Sequence, residues 1–442
     1  MPSPDVAIIG GGLCGLALAI ALEKRQIPYK VYEARSSFRE IGSGINLGPN
    51  TFHAFNAIDA GLYKDISALA TRNEPPNEET WMTLRLGRPT DNFEDGHLVT
   101  ALQAPPTGNM TVGRNELLQM LAGSIDPARA RFNKKLVGLT QSTDGVTLRF
   151  EDGTEDEAAL VIGCDGAHSS VRGLVLGKEH PATRAQFSRM AGYRAVFPMD
   201  FHEQVVGRDN AHMSHVWCGP DGYVIHYPIN GGTAVNIGLW IKKESWNSER
   251  WVVEHQKEQM LHDFRSWGPQ VQRIMSHMEP DTTHLWGNFH HAVNPEHYFQ
   301  GRAAFIGDAA HSMPPHQGQG AAQSMEDACV MAAVLRQIYS RSKGSSPPQQ
   351  EIEAAFRGFE TVRKARFEEV TRTSVEALDF WADVSRPDLT EADVNTFERD
   401  ANQRFVWLWN EDIEGQQAKA VAEMEKLLGD ETTKARVNGA AV

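Results

Sequence analysis

Residues 5–9, DVAII, make a short β-branched apolar run, the pattern of a buried strand. Leu16, Ala19, Ile20 and Leu22 then recur at helical spacing up to Lys24 and Arg25, and a second run, YKVYE, ends at Glu33. The pattern predicts strand, glycine turn, helix, strand. Two distant stretches echo it. ALVIG (159–163) is a strand-like run that meets Asp165 and Gly166. AAFIG (303–307) meets Asp308, and after a Pro/Gly loop a helix is predicted to open at Gly318, Gly320 and Ala321. Met325, Ala328, Val330, Met331 and Leu335 mark its amphipathic body.

Between these stretches the texture changes. RMAGYRAVFPM, HMSHVWCGPDGYVIHYPI and TAVNIGLWIKK alternate apolar and polar residues, with turn signals at Gly-Pro-Asp-Gly and Asn-Gly-Gly. They predict antiparallel strands and hairpins, to which residues 80–100 add strands. Tyr227 sits just before a proline expected to end its strand. After residue 340, KGSSPPQQEIE is a Ser/Pro loop, and 350–385 and 390–430 are expected to be charged amphipathic helices bracing the rest. Trp407 and Trp409 are expected to pack that segment. The expected division is 1–75, 101–180 and 298–345 for one discontinuous domain, 76–100 and 181–297 for a β-sheet domain, and 346–442 for the helices.

Composition narrows the function. The 442 residues hold 43 Lys+Arg against 57 Asp+Glu, a formal charge of −14. That balance argues against nucleic acid as partner, because phosphate neutralisation needs Lys and Arg. The four cysteines, Cys14, Cys164, Cys218 and Cys329, are widely spaced, which supports neither a zinc site nor a disulfide framework. No apolar run approaches the roughly 20 residues of a membrane span, and MPSPDVAIIGGG lacks a basic signal-peptide start. A cytoplasmic protein is expected.

The glycines carry the first chemistry. Gly10, Gly12 and Gly15 form G-x-G-x-x-G between strand and helix, and Glu33 follows 23 residues after Gly10. Gly10 suits a tight turn, Gly12 the approach of a pyrophosphate to bare backbone, and Gly15 close packing of helix on strand. The helix start then offers N–H groups and a partial positive charge to phosphate. Glu33 can accept hydrogen bonds from a ribose diol. This fingerprint points to a dinucleotide without separating FAD from NAD. The helix start after Gly-Gln-Gly suits the N1–C2=O edge of a reduced flavin, which is negatively charged.

Arg194, a fixed cation among apolar neighbours, wants an anionic partner; a structural ion pair is the alternative. Tyr227 is either a hydrogen-bonding group or a packed sheet aromatic. His215 lies on the predicted sheet, and His226, His311 and His316 sit beside motifs. No pair has the i,i+4 spacing with carboxylate support of a metal site, so none is expected. A proton-transfer role for His226 or His316 stays open.

Taken together, GGGLCG with Glu33, GCDGAHSSVR, and GDAAHSxPPHQGQG resemble the single-component FAD-dependent aromatic hydroxylases. More narrowly, the chain resembles the fungal salicylate-hydroxylase-like branch, which includes phenol-dearomatising enzymes of polyketide pathways. The resemblance spans residues 5–415, with support from REIGSGINLGPNTF (39–52), VGRNELLQML (112–121) and FVWLWNEDIEG (405–415). The expected fold class is α/β, with a Rossmann-like FAD-binding domain, an antiparallel β-sheet substrate domain and C-terminal helices.

The resemblance implies that Gly10, Gly12, Gly15 and Glu33 hold the ADP half of FAD and that Gly44 to Asn46 run beside the flavin. It implies that Arg114 reaches FAD, that Asp165 and Gly166 serve FAD and NAD(P)H, that Asp308 bonds the ribityl or pyrophosphate region, and that Gly320 and Ala321 touch the isoalloxazine. Arg194 would stabilise a substrate phenolate and Tyr227 would orient its ring. The implied activity is hydroxylation of a phenol, hydroxybenzoate or polyketide-type aromatic by O2 through a flavin C4a-hydroperoxide. NADH or NADPH would dock transiently as reductant, and the outcome would be decarboxylative or dearomatising. An NAD-dependent dehydrogenase explains the first motif but not Asp308, and a catalytically silent FAD-binding regulator is the other rival. Substrate identity, coenzyme preference and oligomeric state are not readable.

Overall fold

The computed structural model describes residues 5–39 and 43–439. Glu40–Gly42, inside the supporting stretch 39–52, and both extreme termini lie outside the described residues.

Two sheets organise the chain. The first has six strands in the order 299–300, 303–305, 160–163, 6–9, 29–32, 130–131. Val6–Ile9 pairs in parallel with Leu160–Gly163 on one side and Tyr29–Tyr32 on the other. Ala303–Phe305 pairs in parallel with Val161–Gly163. These strands are buried on both faces, which is why they read as unbroken apolar runs rather than alternating ones. Parallel pairing brings the three sequence motifs together. Each leaves the carboxyl end of one of three adjacent strands, the edge where open α/β sheets place ligands. The helices Leu13–Lys24 and Gly320–Ser342 pack on each other above the sheet.

The second sheet has eight strands, in the order 252–253, 285–290, 186–198, 234–242, 222–229, 215–219, 80–86, 98–103. All neighbours are antiparallel except Thr80–Leu86 with His215–Gly219, which run parallel. Gly-Pro-Asp-Gly is a two-residue hairpin, with Asp221 in the left-handed region at φ +57°. The strand carrying Tyr227 does not stop at the proline; it runs from Gly222 to Ile229, with Pro228 opposite Val235. The Pro228 carbonyl accepts a hydrogen bond from the Thr111 hydroxyl, so the proline is held by its acceptor side.

A short antiparallel pair, Gly44–Leu47 with Met110–Gly113, lies between the two sheets. The C-terminal segment forms three helices, Gln349–Asp383, Glu391–Trp409 and Ile413–Gly439. The helix expected over 390–430 is therefore two. Thr390 and Asp393 form a capping box that starts the first, and the chain breaks at Asn410–Asp412 before Asp412 Oδ1 accepts the Gly415 N–H. Trp409 is buried, stacked on Phe405 and beside Trp81, whereas Trp407 is exposed with Arg366 over its ring.

The Gln349–Asp383 helix enters the core with charge. Arg363 bonds Glu326 Oε2 at 2.6 Å and Asp327 Oδ1 at 2.8 Å, and Arg366 bonds Glu326 Oε2 at 2.7 Å. Burial alone would raise both carboxyls; the two arginines bring Glu326 below the usual range, and His311 together with Arg363 does so for Asp327. No helix among the described residues is long and apolar enough to cross a membrane.

Candidate active site

A cavity of about 730 Å³ lies between the carboxyl edge of the first sheet and one face of the second. That is the size of a cofactor or substrate site. Of the fifteen residues to which the resemblance gives a role, fourteen line it; Gly15 lies beneath.

The cofactor end is built from backbone. Gly10 has φ +102°, and a Cβ on Gly15 would lie 2.0 Å from the Gly10 carbonyl oxygen. No other residue lets the helix start this close to its strand. The Leu13–Lys24 helix is capped by Gly12, with no capping side chain and no acid in its first turn. The Gly320–Ser342 helix starts the same way behind Gln319. Two helix amino ends thus present N–H groups and positive dipole to one cavity. These uncovered donors, and the glycine cradle before them, fit a pyrophosphate and an anionic flavin edge.

Glu33 Oε2 accepts the Gly11 N–H and Oε1 the Arg35 N–H, each at 2.8 Å. It props the glycine turn, and its remaining lone pairs are available to a ribose. Asp165 has a local task as well: its carboxylate takes the Ser169 hydroxyl and the Ser170 and Val171 N–H groups, closing the first turn of Ser170–Leu176. Burial pushes the Asp165 carboxyl up. Asp308 opens a single helical turn, Asp308–His311, and faces Arg114 across the cavity wall. Burial lowers the Arg114 pKa and Asp308 opposes that shift. Asn46 is buried and donates to Asn109 Oδ1 at 3.1 Å.

The substrate end is built from side chains on three strands. Arg194 aligns with Gly238, which aligns in turn with Ile225. Gly238 contributes no side chain, and a Cβ there would lie 2.9 Å from the Trp240 indole nitrogen, so glycine lets that indole lie over the central strand beside Arg194. The Arg194 guanidinium is open to the cavity and stands 5.1 Å from the Trp240 ring and 5.7 Å from the Trp286 ring. Surrounding protein lowers its pKa. It forms no ion pair among the described residues, so its charge is left for something in the cavity. Tyr227 is 5% exposed, and its hydroxyl has no hydrogen-bond partner among the described residues. Burial raises its pKa and Arg194 opposes the rise.

The two ends are fastened together at Gly44. Its N–H donates to Asn236 Oδ1 at 2.7 Å, and a Cβ there would lie 2.5 Å from the Tyr227 ring. Glycine is required for strand 44–47 to lie against the substrate sheet.

The histidines separate. His226 lies under the sheet, outside the cavity, with Nδ1 2.7 Å from His202 Nε2 and its ring against His215 and Trp217. Burial keeps this cluster neutral, with His202 lowered to about 4, His215 to about 3 and His226 well below its usual value. His316 is buried beside the cavity, lowered by burial to about 3, with Nδ1 2.8 Å from the Tyr223 hydroxyl. Among the described residues no His/Cys/Asp/Glu cluster could hold a metal ion.

Several connecting residues escape sequence reasoning. Arg172 is fully buried and donates to the carbonyls of Ala182, Ala309 and Ala310, tying the second motif to the third. Asp327 accepts the Gly307 N–H at 2.9 Å and contacts His311 Nε2 at 2.7 Å, setting the turn before Asp308. Tyr223 lines the cavity four residues before Tyr227. The available signal was charge out of place: Glu326 and Asp327 interrupt an otherwise apolar helix face.

Residues 3–350 match the FAD binding domain family. The chain is 33% identical over 424 residues to 6-methylsalicylate 1-monooxygenase of Aspergillus terreus, covering 94% of this chain and 91% of that protein. It is 29% identical to salicylate hydroxylase of Pseudomonas putida, covering 95% of each. Among solved structures, a salicylate hydroxylase substrate complex superposes with a TM-score of 0.79 at 28% identity, over 95% of this chain and 98% of that one. The glycine cradle, the two bare helix ends and the unpaired guanidinium beyond them thus sit in a known enzyme class: the chain belongs to the FAD binding domain family, as an FAD-dependent aromatic monooxygenase of the salicylate hydroxylase type.

Proposed function

We propose that this enzyme hydroxylates a phenol or hydroxybenzoate held as its phenolate by Arg194 and Tyr227. The observation that carries this reading is the unpaired Arg194 head group, set between two indoles and facing the cavity. FAD would rest with its pyrophosphate at Gly10–Gly12, its ribose at Glu33 and its ring beside Gly44–Asn46 and Gly320–Ala321. Asp308 and Arg114 would flank the chain between. Reduced by NADH or NADPH and meeting O2, FAD supplies an electrophilic oxygen atom.

The chain's own residues prepare the acceptor. Arg194 lowers the pKa of a bound phenol by direct attraction, which leaves more charge on the ring carbons ortho and para to the oxygen. The Tyr227 hydroxyl donates to the same oxygen and fixes the ring plane. Trp240 and Ile225 line this end and exclude water, which strengthens the Arg194 interaction. If the attacked carbon carries a carboxylate, CO2 leaves; if it carries an alkyl group, aromaticity is lost. The cofactor unit would comprise 1–75, 101–180 and 298–345, and the substrate unit 76–100 and 181–297.

The test is turnover with NADH or NADPH, O2 and a panel of salicylates and alkyl resorcinols, with products identified by mass. Catechols with loss of CO2 indicate decarboxylative hydroxylation, and gain of one oxygen without that loss indicates the other course. No phenol-stimulated NAD(P)H oxidation across the panel would overturn the reading.

A further inference from the structure

Two tyrosines face the cavity from the strand Gly222–Ile229, four residues apart and therefore on one side of the sheet. Their hydroxyls differ in commitment. That of Tyr227 has no partner among the described residues, whereas that of Tyr223 lies 2.8 Å from His316 Nδ1. The imidazole is buried and neutral, so one of its ring nitrogens is an acceptor. The Trp381 indole N–H donates to the His316 carbonyl at 3.2 Å and fixes the loop that carries the ring.

Arg194 decides the direction of the Tyr223–His316 bond. Its charge acts on both phenols. A cation on the cavity side attracts the phenol oxygen and repels the phenol proton, and the imidazole on the other side accepts that proton. Tyr223 then donates to Nδ1 and turns oxygen lone pairs to the cavity. The site thus offers opposite polarities: donors at Arg194 and Tyr227, an acceptor at Tyr223.

We propose that Tyr223, positioned by His316, is a specificity-determining residue that accepts a hydrogen bond from a second substrate hydroxyl, so that the site selects an arene bearing one ionised and one protonated oxygen. The inference rests on the phenol-hydroxylase reading above and narrows its substrate class. Four residues along a strand span about 13 Å, so the two tyrosines reach the cavity from separate points. Two phenol oxygens reached from separate points suit substrate oxygens set apart on the ring better than adjacent ones. A methoxy group in the second position brings no proton and leaves the Tyr223 oxygen unpaired, and a carboxylate there meets a lone pair. Sites that hydrogen-bond a substrate hydroxyl reject analogues lacking it strongly, because the protein group is stranded.

The test is equilibrium binding to the FAD-loaded enzyme without nicotinamide, read from the flavin spectrum. The probes are 2,4-dihydroxybenzoate, 2-hydroxy-4-methoxybenzoate and salicylate. The wild-type enzyme is expected to bind the dihydroxy probe at least about tenfold more tightly than either other probe, and Tyr223→Phe to bring all three within about twofold. His316→Asn, whose Oδ1 stands where Nδ1 does, is expected to keep the preference, and His316→Leu to lose it, a contrast that a purely structural role would not produce. Equal wild-type affinities, absence of binding by the dihydroxy probe, or a preference that survives Tyr223→Phe or His316→Leu would each overturn the inference. Failure of the hydroxylase reading looks different: the binding preference would persist while no phenol stimulated NAD(P)H oxidation.

Discussion

At one end of the cavity the ligand-facing groups are backbone N–H groups at the starts of the Leu13 and Gly320 helices; at the other they are a guanidinium, two phenols and one indole on three strands. On the proposed reading the first end would recognise what every FAD shares, and backbone suffices because phosphate needs only donors and a positive dipole. The second end would recognise what distinguishes one arene from another, which requires side chains. The glycine turn has no room for added atoms, since a Cβ on Gly10, Gly11 or Gly15 would lie 2.5, 2.4 or 2.0 Å from other atoms. The side-chain end can be altered without unmaking the fold.

The strongest way to break this contrast is Gly15→Val. Its branched side chain meets the Gly10 carbonyl, 2.0 Å from the first added carbon, and the expected result is no folded, flavin-loaded protein. A yellow Gly15→Val protein with a normal flavin-to-protein absorbance ratio would erase the distinction. Arg194→Met comes next. Hydroxylation is expected to fall by about 100-fold or more, the scale for removing one preorganised electrostatic group, with FAD content unchanged. Loss of FAD together with activity would show that the two ends are not separable.

Acid should distinguish the ends as well. His202, His215 and His226 lie under the substrate sheet with pKa values depressed by burial, to about 4, about 3 and well below the usual value. Arg85 also faces His215 and deepens its shift. An unfolded chain takes up protons below about pH 6.5 while the folded cluster does not. The associated stability is therefore full above that pH and declines as pH falls toward 4, by up to about 1.4 kcal/mol per pH unit for each histidine. Denaturation midpoints at pH 7.5 and 5.5 measure it, and His202→Gln should flatten the dependence. The smallest effect is expected at the junction. Asn236→Ala strands the Gly44 N–H, at a cost of about 1–3 kcal/mol, and should raise NAD(P)H consumed per product severalfold without changing FAD content.

The same contrast explains what was legible in the sequence. The glycine turn is local: strand, turn, helix and Glu33 occupy 29 consecutive residues from Asp5 to Glu33, and their spacing alone implies a dinucleotide. That three motifs as far apart as Gly10, Asp165 and Asp308 line one cavity is not local, but parallel pairing forces their turns to one edge. The substrate end has no such rule. Gly238 makes room for the Trp240 indole beside Arg194 only through register across two strand pairs, and a one-residue slip would turn Tyr223 and Tyr227 to the other face. His226 sits one residue from Tyr227 yet lies under the sheet for the same reason. Pro228 read as a stop because its missing N–H was visible and the Thr111 hydroxyl that holds its carbonyl was not.

Arg363 and Arg366 carry a lesson about where this protein can be cut. The family match ends at residue 350, and every cavity glycine and motif acid lies before it. A fragment ending there would keep all of them and yet leave Glu326 and Asp327 without their arginine partners, with the turn at Gly307 hanging from one of them. The border drawn by shared ancestry is therefore not the border of a self-sufficient folding unit: the cofactor cradle borrows its countercharge from chain that lies past its own end.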